Sequence, residues 1–183
     1  VAMYARCLDA LRRAPRPTIA CVDGETTGGG VGLAAVCDVV LATPRATFAL
    51  PELLFGLIPS LVLPVLVERI SPQRARQAAL SAQALGADEA ARLGLVDCVV
   101  PAGAVRAELG GRVRSLSRAD SRHVEALRRW MLDLRLLEWP AQLAHGAAIT
   151  ATLAGDPRTQ TRIRRFFEDG TPPWTDVHEK EDA

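Results

Sequence analysis

The order of sequence patterns predicts an α/β protein in which βα units come first and a helical segment follows. Two short apolar segments, TIACVDG at residues 18–24 and LVDCVVP at residues 95–101, have the composition and the flanking turn residues of buried strands. Beyond these segments the apolar residues recur at helical spacing, which predicts helices over residues 103–116, 121–137 and 140–153.

The remaining elements are predicted from periodicity and from their boundary residues. The opening segment places Met3, Cys7, Leu8 and Leu11 on one face of a helix that the following prolines end. Ser71 is a helix N-cap followed by proline, and Asp156-Pro157 starts the last helix in the same way. The other predicted elements are a short helix after the glycine cluster, strands near 39–42 and 46–50, a helical turn that starts at Pro51, and helices over 62–70, 72–82 and 87–93.

The composition narrows the possible functions. The 22 lysines and arginines nearly balance the 21 aspartates and glutamates, so no net field favours nucleic acid or a membrane as a partner. Polar residues interrupt every apolar stretch before it could span a bilayer. Four cysteines without a CxxC pair indicate reduced core thiols, with neither a zinc site nor a disulfide scaffold, and hence a cytoplasmic protein. The chain opens at Val1 within a predicted helix, so we expect that an N-terminal part is missing.

A glycine cluster lies between the first predicted strand and the short helix, in GETTGGGVGLAAVCD at residues 24–38. The N–H groups of Gly28, Gly29 and Gly30 can point at an anion there, either a phosphate or an oxyanion. The spacing fits neither GxGxxG nor GxxxxGK[ST], which excludes the usual nucleotide-binding loops. From these residues alone, a plain structural turn is an equally good interpretation.

The wider sequence DGETTGGGVGLAAVCDVVLATPRATFALPELLFGLIP, at residues 23–59, resembles the central signature of the crotonase (enoyl-CoA hydratase/isomerase) superfamily. The glycine loop, Cys-Asp, Phe-x-x-Pro-Glu and Gly-x-x-Pro occur in the family order, and LGLVDCVVP at 93–101 fits a later turn. The resemblance implies the C-terminal part of a crotonase-like spiral of ββα units in residues 1–101. It also implies a helical trimerisation segment and tail in residues 102–183, and assembly as a homotrimer or hexamer.

The same resemblance implies which residues act. In the family the middle glycine of the triplet, here Gly29, donates its backbone N–H to a thioester carbonyl oxygen that becomes an enolate, and Gly28 and Gly30 line the substrate site. A glutamate at the position of Glu52 exchanges the α-proton. The second oxyanion donor comes from an earlier loop, outside this chain. The substrate would be carried on coenzyme A or on the phosphopantetheine of acyl carrier protein, with no other cofactor and no metal.

One position departs from the family pattern. Two-glutamate hydratases carry a second glutamate two residues after the glycine triplet, where this chain has Gly32. Because glycine has no side chain, we expect open space for the substrate beside Gly32. Glu25 precedes the glycines and is interpreted as an exposed turn residue.

The continuation FALPELLFGLIPSLVLPVLVERIS and the ending RRFFEDGTPPWTD resemble the crotonase-like dehydratases of polyketide β-branching cassettes. Those enzymes act on 3-hydroxy-3-methylglutaryl groups held on acyl carrier protein, so the implied reaction is loss of water to a 3-methylglutaconyl thioester. Ser60 and Leu61 replace a glycine-rich segment of common hydratases, which predicts either a bulkier substrate pocket or a packing role. A run of basic residues near the C-terminus could meet a carrier protein or form a solvated helix face: Arg162, Arg164 and Arg165.

Three other functions are compatible with this resemblance. A crotonase-fold decarboxylase of the same pathway would use the same oxyanion hole, but such enzymes generally lack a glutamate at the position of Glu52. An ordinary enoyl-CoA hydratase would turn over crotonyl-CoA. A non-catalytic scaffold or carrier-docking protein of this fold would bind its partner without turnover.

Overall fold

A computed structural model describes residues 1–175, which contain six strands and nine α-helices. The charged end of the tail, residues 176–183, lies outside the described residues. The strands are β1 (Ile19–Val22), β2 (Glu25–Thr27), β3 (Val39–Ala42), β4 (Thr47–Ala49), β5 (Leu85–Gly86) and β6 (Cys98–Val99). The helices are α1 (Ala2–Arg12), α2 (Gly29–Ala35), α3 (Leu63–Arg69), α4 (Pro72–Ser81), α5 (Ala87–Leu93), α6 (Val105–Leu116), α7 (Ser121–Asp133), α8 (Trp139–Gly155) and α9 (Pro157–Asp169).

The strands form two three-stranded sheets. In the first sheet, β3 lies in the centre and pairs in parallel with β1 and with β6. In the second sheet, β4 pairs in parallel with β2 and antiparallel with β5. Parallel strands joined through helices, followed by a helical C-terminal segment, confirm the predicted α/β class.

Most elements lie where the sequence predicts them. Strand β3 and helix α5 have the predicted bounds. Helix α9 has Asp156 as its N-cap, and the Asp156 carboxylate accepts from the N–H groups of Arg158 and Thr159. Strands β2 and β5 are not predicted, because Glu25–Thr27 and Leu85–Gly86 show neither an apolar run nor an alternating pattern. Glu25 is exposed as predicted, but it lies in β2, so its interpretation as a turn residue is wrong.

The core of the first half holds the segments around the glycine cluster in place. Phe48 and Leu41 are among the largest fully buried side chains. Val31, just after the glycine triplet, and Leu50, just before Pro51, are each 2 % exposed. Because burial of such a side chain contributes about 1.5–3 kcal/mol, both segments are anchored to the same apolar core.

Two predictions about the surface need correction. None of the four cysteines forms a disulfide, and Cys37 is buried as predicted. Cys7 and Cys21 are exposed, so these two are not core thiols. In α1 the buried residue is Leu8, whereas Met3 is 76 % exposed, so the buried face of this helix is narrower than its sequence pattern predicts. None of the helices in residues 1–175 combines the length and apolar character that a membrane crossing requires.

The chain divides into two compact units, Val1–Val113 and Arg114–Ala183. The predicted boundary after residue 101, between the crotonase core and the helical segment, stays a prediction. Within the second unit, the rings of Trp130 and His145 stack with their centroids 5.2 Å apart and join α7 to α8. Arg162 of α9 lies 3.7 Å from the carboxylate of Asp120, the N-cap of α7. Arg162 therefore takes part in an ion pair within this unit, and the two interpretations of Arg164 and Arg165 stay predictions.

An ion pair beside β1 predicts a specific contribution to acid stability. Asp23 accepts two hydrogen bonds from Arg45 and one from the buried Thr43 hydroxyl, each at 2.6 Å. These bonds, from Arg45 first, lower the pKa of Asp23 to about 2. Because the folded pKa lies below the unfolded one, of about 3.9, the contribution is present above pH ~4 and is lost as the pH falls toward 2.

We therefore expect Asp23→Asn to lower the stability of the folded protein near neutral pH. Because the variant lacks the Asp23 carboxylate, it should lose less stability than the wild type when the pH is lowered. Urea-unfolding midpoints of the wild type and of Asp23→Asn, compared from neutral to acid pH, measure it. Arg45→Ala should reproduce most of the effect, since Arg45 is the main partner. Midpoints of Asp23→Asn and wild type that fall in parallel with pH would contradict this assignment. The pair is exposed, so the effect should be small.

Candidate active site

The glycine triplet forms the junction between β2 and α2. Gly28 has φ +51° and ψ −117°, a backbone conformation that residues with a side chain rarely adopt. Its N–H donates to Ala49 O at 2.9 Å, which ties the loop to β4, and Val31 N–H donates back to Gly28 O at 3.0 Å. Helix α2 starts at Gly29, and the first N–H groups of a helix have no intrahelical acceptor. The N–H groups of Gly29 and Gly30 are therefore placed to serve an external acceptor.

Glu52 lies beside this loop, at the start of the 3-10 helix Glu52–Phe55 that follows β4. A Cβ placed on Gly28 would be 3.0 Å from Glu52 Oε1, so the carboxylate lies directly against the loop. The other oxygen, Oε2, is buried and has no hydrogen-bond partner among the described residues. A buried acceptor left unsatisfied costs about 1–3 kcal/mol, and such groups in native proteins call for an explanation, of which function is one. The structure thus brings an unpaired carboxylate oxygen to the glycine loop.

A third group, Tyr4 of α1, reaches the same place. Its hydroxyl donates to Gly29 O at 2.7 Å. A Cβ placed on Gly32 would overlap the Tyr4 hydroxyl and would lie 3.3 Å from Val62 Cγ2. The predicted open space beside Gly32 is therefore wrong, because the Tyr4 side chain already fills it. Burial raises the pKa of Tyr4, and the negative charge of Glu52 raises it further, so the hydroxyl keeps its proton.

The site combines a glycine loop, an α/β core and a carboxylate on a Phe-x-x-Pro-Glu turn. A comparison with known protein families agrees with this combination and covers almost the whole chain. The family model described as enoyl-CoA hydratase/isomerase matches residues 2–178. The chain belongs to the enoyl-CoA hydratase/isomerase family. Its fold is the crotonase fold: the solved structure of Pseudomonas aeruginosa AtuE superposes with a TM-score of 0.86 at 32% identity, over 94% of this chain and 67% of that one.

Two sequence relatives in the enoyl-CoA hydratase/isomerase family bear on the reaction. The bacillaene synthase dehydratase PksH of Bacillus subtilis strain 168 is 33% identical over 168 residues, which are 91% of this chain and 63% of PksH. The mevalonyl-coenzyme A hydratase sidH of Aspergillus fumigatus is 43% identical over 90 residues, which are 49% of this chain and 33% of sidH. The chain thus spans less than two thirds of the length of either relative.

The structure brings together only some of the site residues that the family signature predicts. Gly28, Gly29 and Glu52 lie together as described above. Ser60 is exposed and Leu61 half-buried, in the turn before α3, and their predicted substrate contact stays a prediction. It is their neighbour Val62 that approaches the glycine loop.

Sequence reasoning missed Tyr4. The residue is the chain's only tyrosine, but it lies 25 positions before its hydrogen-bond partner Gly29. The available signal was steric: a glycine inside a predicted helix, here Gly32, indicates that another group approaches the backbone closely. The group that approaches could not be named without the packing of α1 against α2.

Proposed function

We propose that the protein is a lyase that removes water from a 3-hydroxy-3-methylglutaryl thioester on acyl carrier protein and releases the 3-methylglutaconyl thioester. The observation that carries this proposal is the Glu52 carboxylate, which lies against the glycine loop at Gly28 and whose Oε2 atom is buried and unpaired. A base and an oxyanion donor next to each other are what removal of a proton α to a thioester requires. The similarity to PksH, which is named as a dehydratase, and to sidH, which is named as a hydratase, supports addition or removal of water.

The first step would be removal of a C2 proton by Glu52. The electron pair of the C2–H bond moves onto the thioester carbonyl oxygen, which becomes an enolate oxygen. The Gly29 N–H donates to that oxygen, and one such donor is typically worth about 3 kcal/mol in the transition state. By resemblance to the family, a second donor would come from an earlier loop.

The second step would be loss of the C3 hydroxyl. The enolate collapses, the C2–C3 double bond forms and the C3–O bond breaks. The proton that Glu52 has taken passes to the departing oxygen, so the products are the enoyl thioester and one water. Glu52 thus returns to its starting state, and one carboxylate serves as both base and acid.

The branched acyl group is supported by two comparisons. The sequence resembles dehydratases of β-branching cassettes, and PksH is named for bacillaene synthase. The mevalonyl group in the name of sidH also carries a hydroxyl and a methyl on C3. The sequence resemblance and the name of sidH therefore favour a C3-disubstituted acyl thioester over a straight-chain one.

The experiment is incubation of the full-length protein with 3-hydroxy-3-methylglutaryl acyl carrier protein, followed by intact-mass analysis of the carrier. We expect loss of the mass of one water. Parallel incubations use 3-methylglutaconyl carrier protein and crotonyl-CoA as substrates. Loss of carbon dioxide from the first would instead show a decarboxylase, and turnover of the second alone would show an ordinary hydratase. Binding of the carrier with no mass change in any arm would show a scaffold. The same acyl group on coenzyme A distinguishes the two carriers.

A further inference from the structure

We propose that Tyr4 is a positioning residue of the acyl-thioester site: its hydroxyl bonds Gly29 O and so fixes the Gly29–Gly30 peptide next to the oxyanion donor, and its ring end excludes a second carboxylate from position 32. The inference rests on the function proposed above, because it concerns the same loop. It assigns a role to a residue outside the glycine loop and the Pro-Glu turn.

The first support is the position of the hydrogen bond. Three consecutive glycines have more backbone freedom than any other tripeptide, and ordering them costs correspondingly more entropy. The bond from Gly28 N–H to Ala49 O holds the loop on one side, and the bond from the Tyr4 hydroxyl to Gly29 O holds it on the other. The Tyr4 ring also lies against Gly29, since a Cβ there would be 3.2 Å from Tyr4 Cε2. The Tyr4 bond fixes the Gly29–Gly30 peptide, and the bond from Val31 N–H to Gly28 O fixes the Gly28–Gly29 peptide that carries the Gly29 N–H. Together these contacts restrict the loop on both sides of Gly29.

The second support is the protonation state of the hydroxyl. A tyrosine must keep its proton to donate to a carbonyl oxygen. Burial and the nearby charge of Glu52 both favour the protonated form of Tyr4. The hydrogen bond to Gly29 O is therefore retained while Glu52 is ionised, which is the state in which Glu52 acts as a base.

The third support is steric. A side chain at position 32 would begin where the Tyr4 hydroxyl lies, and it would also crowd Val62. Glycine at 32 and tyrosine at 4 therefore form a matched pair. A glutamate at 32, as in two-glutamate hydratases, could enter only if Tyr4 moved away. The packing of Tyr4 in this way accounts for the absence of a glutamate at position 32.

The kinetic test is Tyr4→Phe in the full-length protein, with 3-hydroxy-3-methylglutaryl carrier protein as substrate. Phenylalanine keeps the ring and removes only the hydroxyl. We expect kcat to fall roughly 2- to 12-fold, the range for one neutral hydrogen bond, while KM changes little. Leu8→Ala is the matched control, because Leu8 is the buried residue of the same helix and its apolar side chain cannot donate to Gly29 O. An unchanged kcat for Tyr4→Phe, or an equal fall for Leu8→Ala, would overturn the positioning role.

The steric part is tested without any turnover, so its failure is distinguishable from failure of the proposed function. Gly32→Ala is compared in the wild-type and Tyr4→Ala backgrounds by urea unfolding. We expect a clear fall of the midpoint in the wild-type background and a much smaller one, or a gain, in the Tyr4→Ala background, because contacting sites are not additive. Equal shifts in the two backgrounds would show that Tyr4 does not occupy the space beside Gly32.

Discussion

Replacement of Glu52 by glutamine is expected to lower the rate of dehydration by roughly 100- to 10,000-fold, the usual contribution of a positioned acid/base. Glutamine has the size of glutamate, but its amide cannot take the C2 proton. The substitution leaves the glycine loop and its hydrogen bonds in place. Steady-state kcat on the carrier-bound substrate measures the effect.

Glu25→Gln is the matched control for this prediction. Glu25 is a carboxylate near the same loop in sequence, but it is exposed on β2. We expect its replacement to leave kcat close to that of the wild type. Near-normal turnover by Glu52→Gln, with the protein folded, would contradict the assignment of Glu52.

Removal of the Gly29 N–H is expected to have the second largest effect. Gly29 is the first residue of α2, a position that tolerates proline, so Gly29→Pro deletes the donor without interrupting the helix. Loss of one oxyanion donor typically costs about 100- to 1,000-fold in kcat. Any side chain at position 29 also crowds Tyr4, so the effect of the added carbon atoms has to be separated from the effect of the lost N–H.

Gly29→Ala supplies that comparison, because it adds the same Cβ and keeps the N–H. We therefore expect kcat of Gly29→Pro to lie roughly 100- to 1,000-fold below that of Gly29→Ala. Circular dichroism of both variants checks that α2 and the rest of the fold are intact. Equal kcat values for two folded variants would mean that the Gly29 N–H does not bind the developing oxyanion.

The parts of the fold that the sequence predicts well have strong local signals. Strand β3 is a continuous β-branched and apolar run, and α9 starts at an Asp-Pro boundary whose side-chain bonds are local. Strand β2 has no such signal, because its residues Glu25 to Thr27 gain their extended form from pairing with β4, more than 20 positions later. Local patterns cannot report that partner.

The site shows the same division between local and distant information. Glu52 and the glycine triplet are adjacent to recognisable motifs, and the structure places them against each other. The prediction of open space beside Gly32 is wrong, because a residue without a side chain does not by itself leave an empty volume. In a close-packed protein the vacant volume is filled by a neighbour, and here the neighbour is Tyr4.

In the proposed mechanism, Glu52 and Gly29 together form and stabilise a thioester enolate. The most direct measurement is the incorporation of deuterium at C2 of the recovered 3-hydroxy-3-methylglutaryl carrier protein after incubation with enzyme in deuterated water. We predict incorporation by the wild type, and incorporation slowed by about 100-fold or more in Glu52→Gln and in Gly29→Pro relative to Gly29→Ala. Incorporation by Glu52→Gln at the wild-type rate would contradict the account.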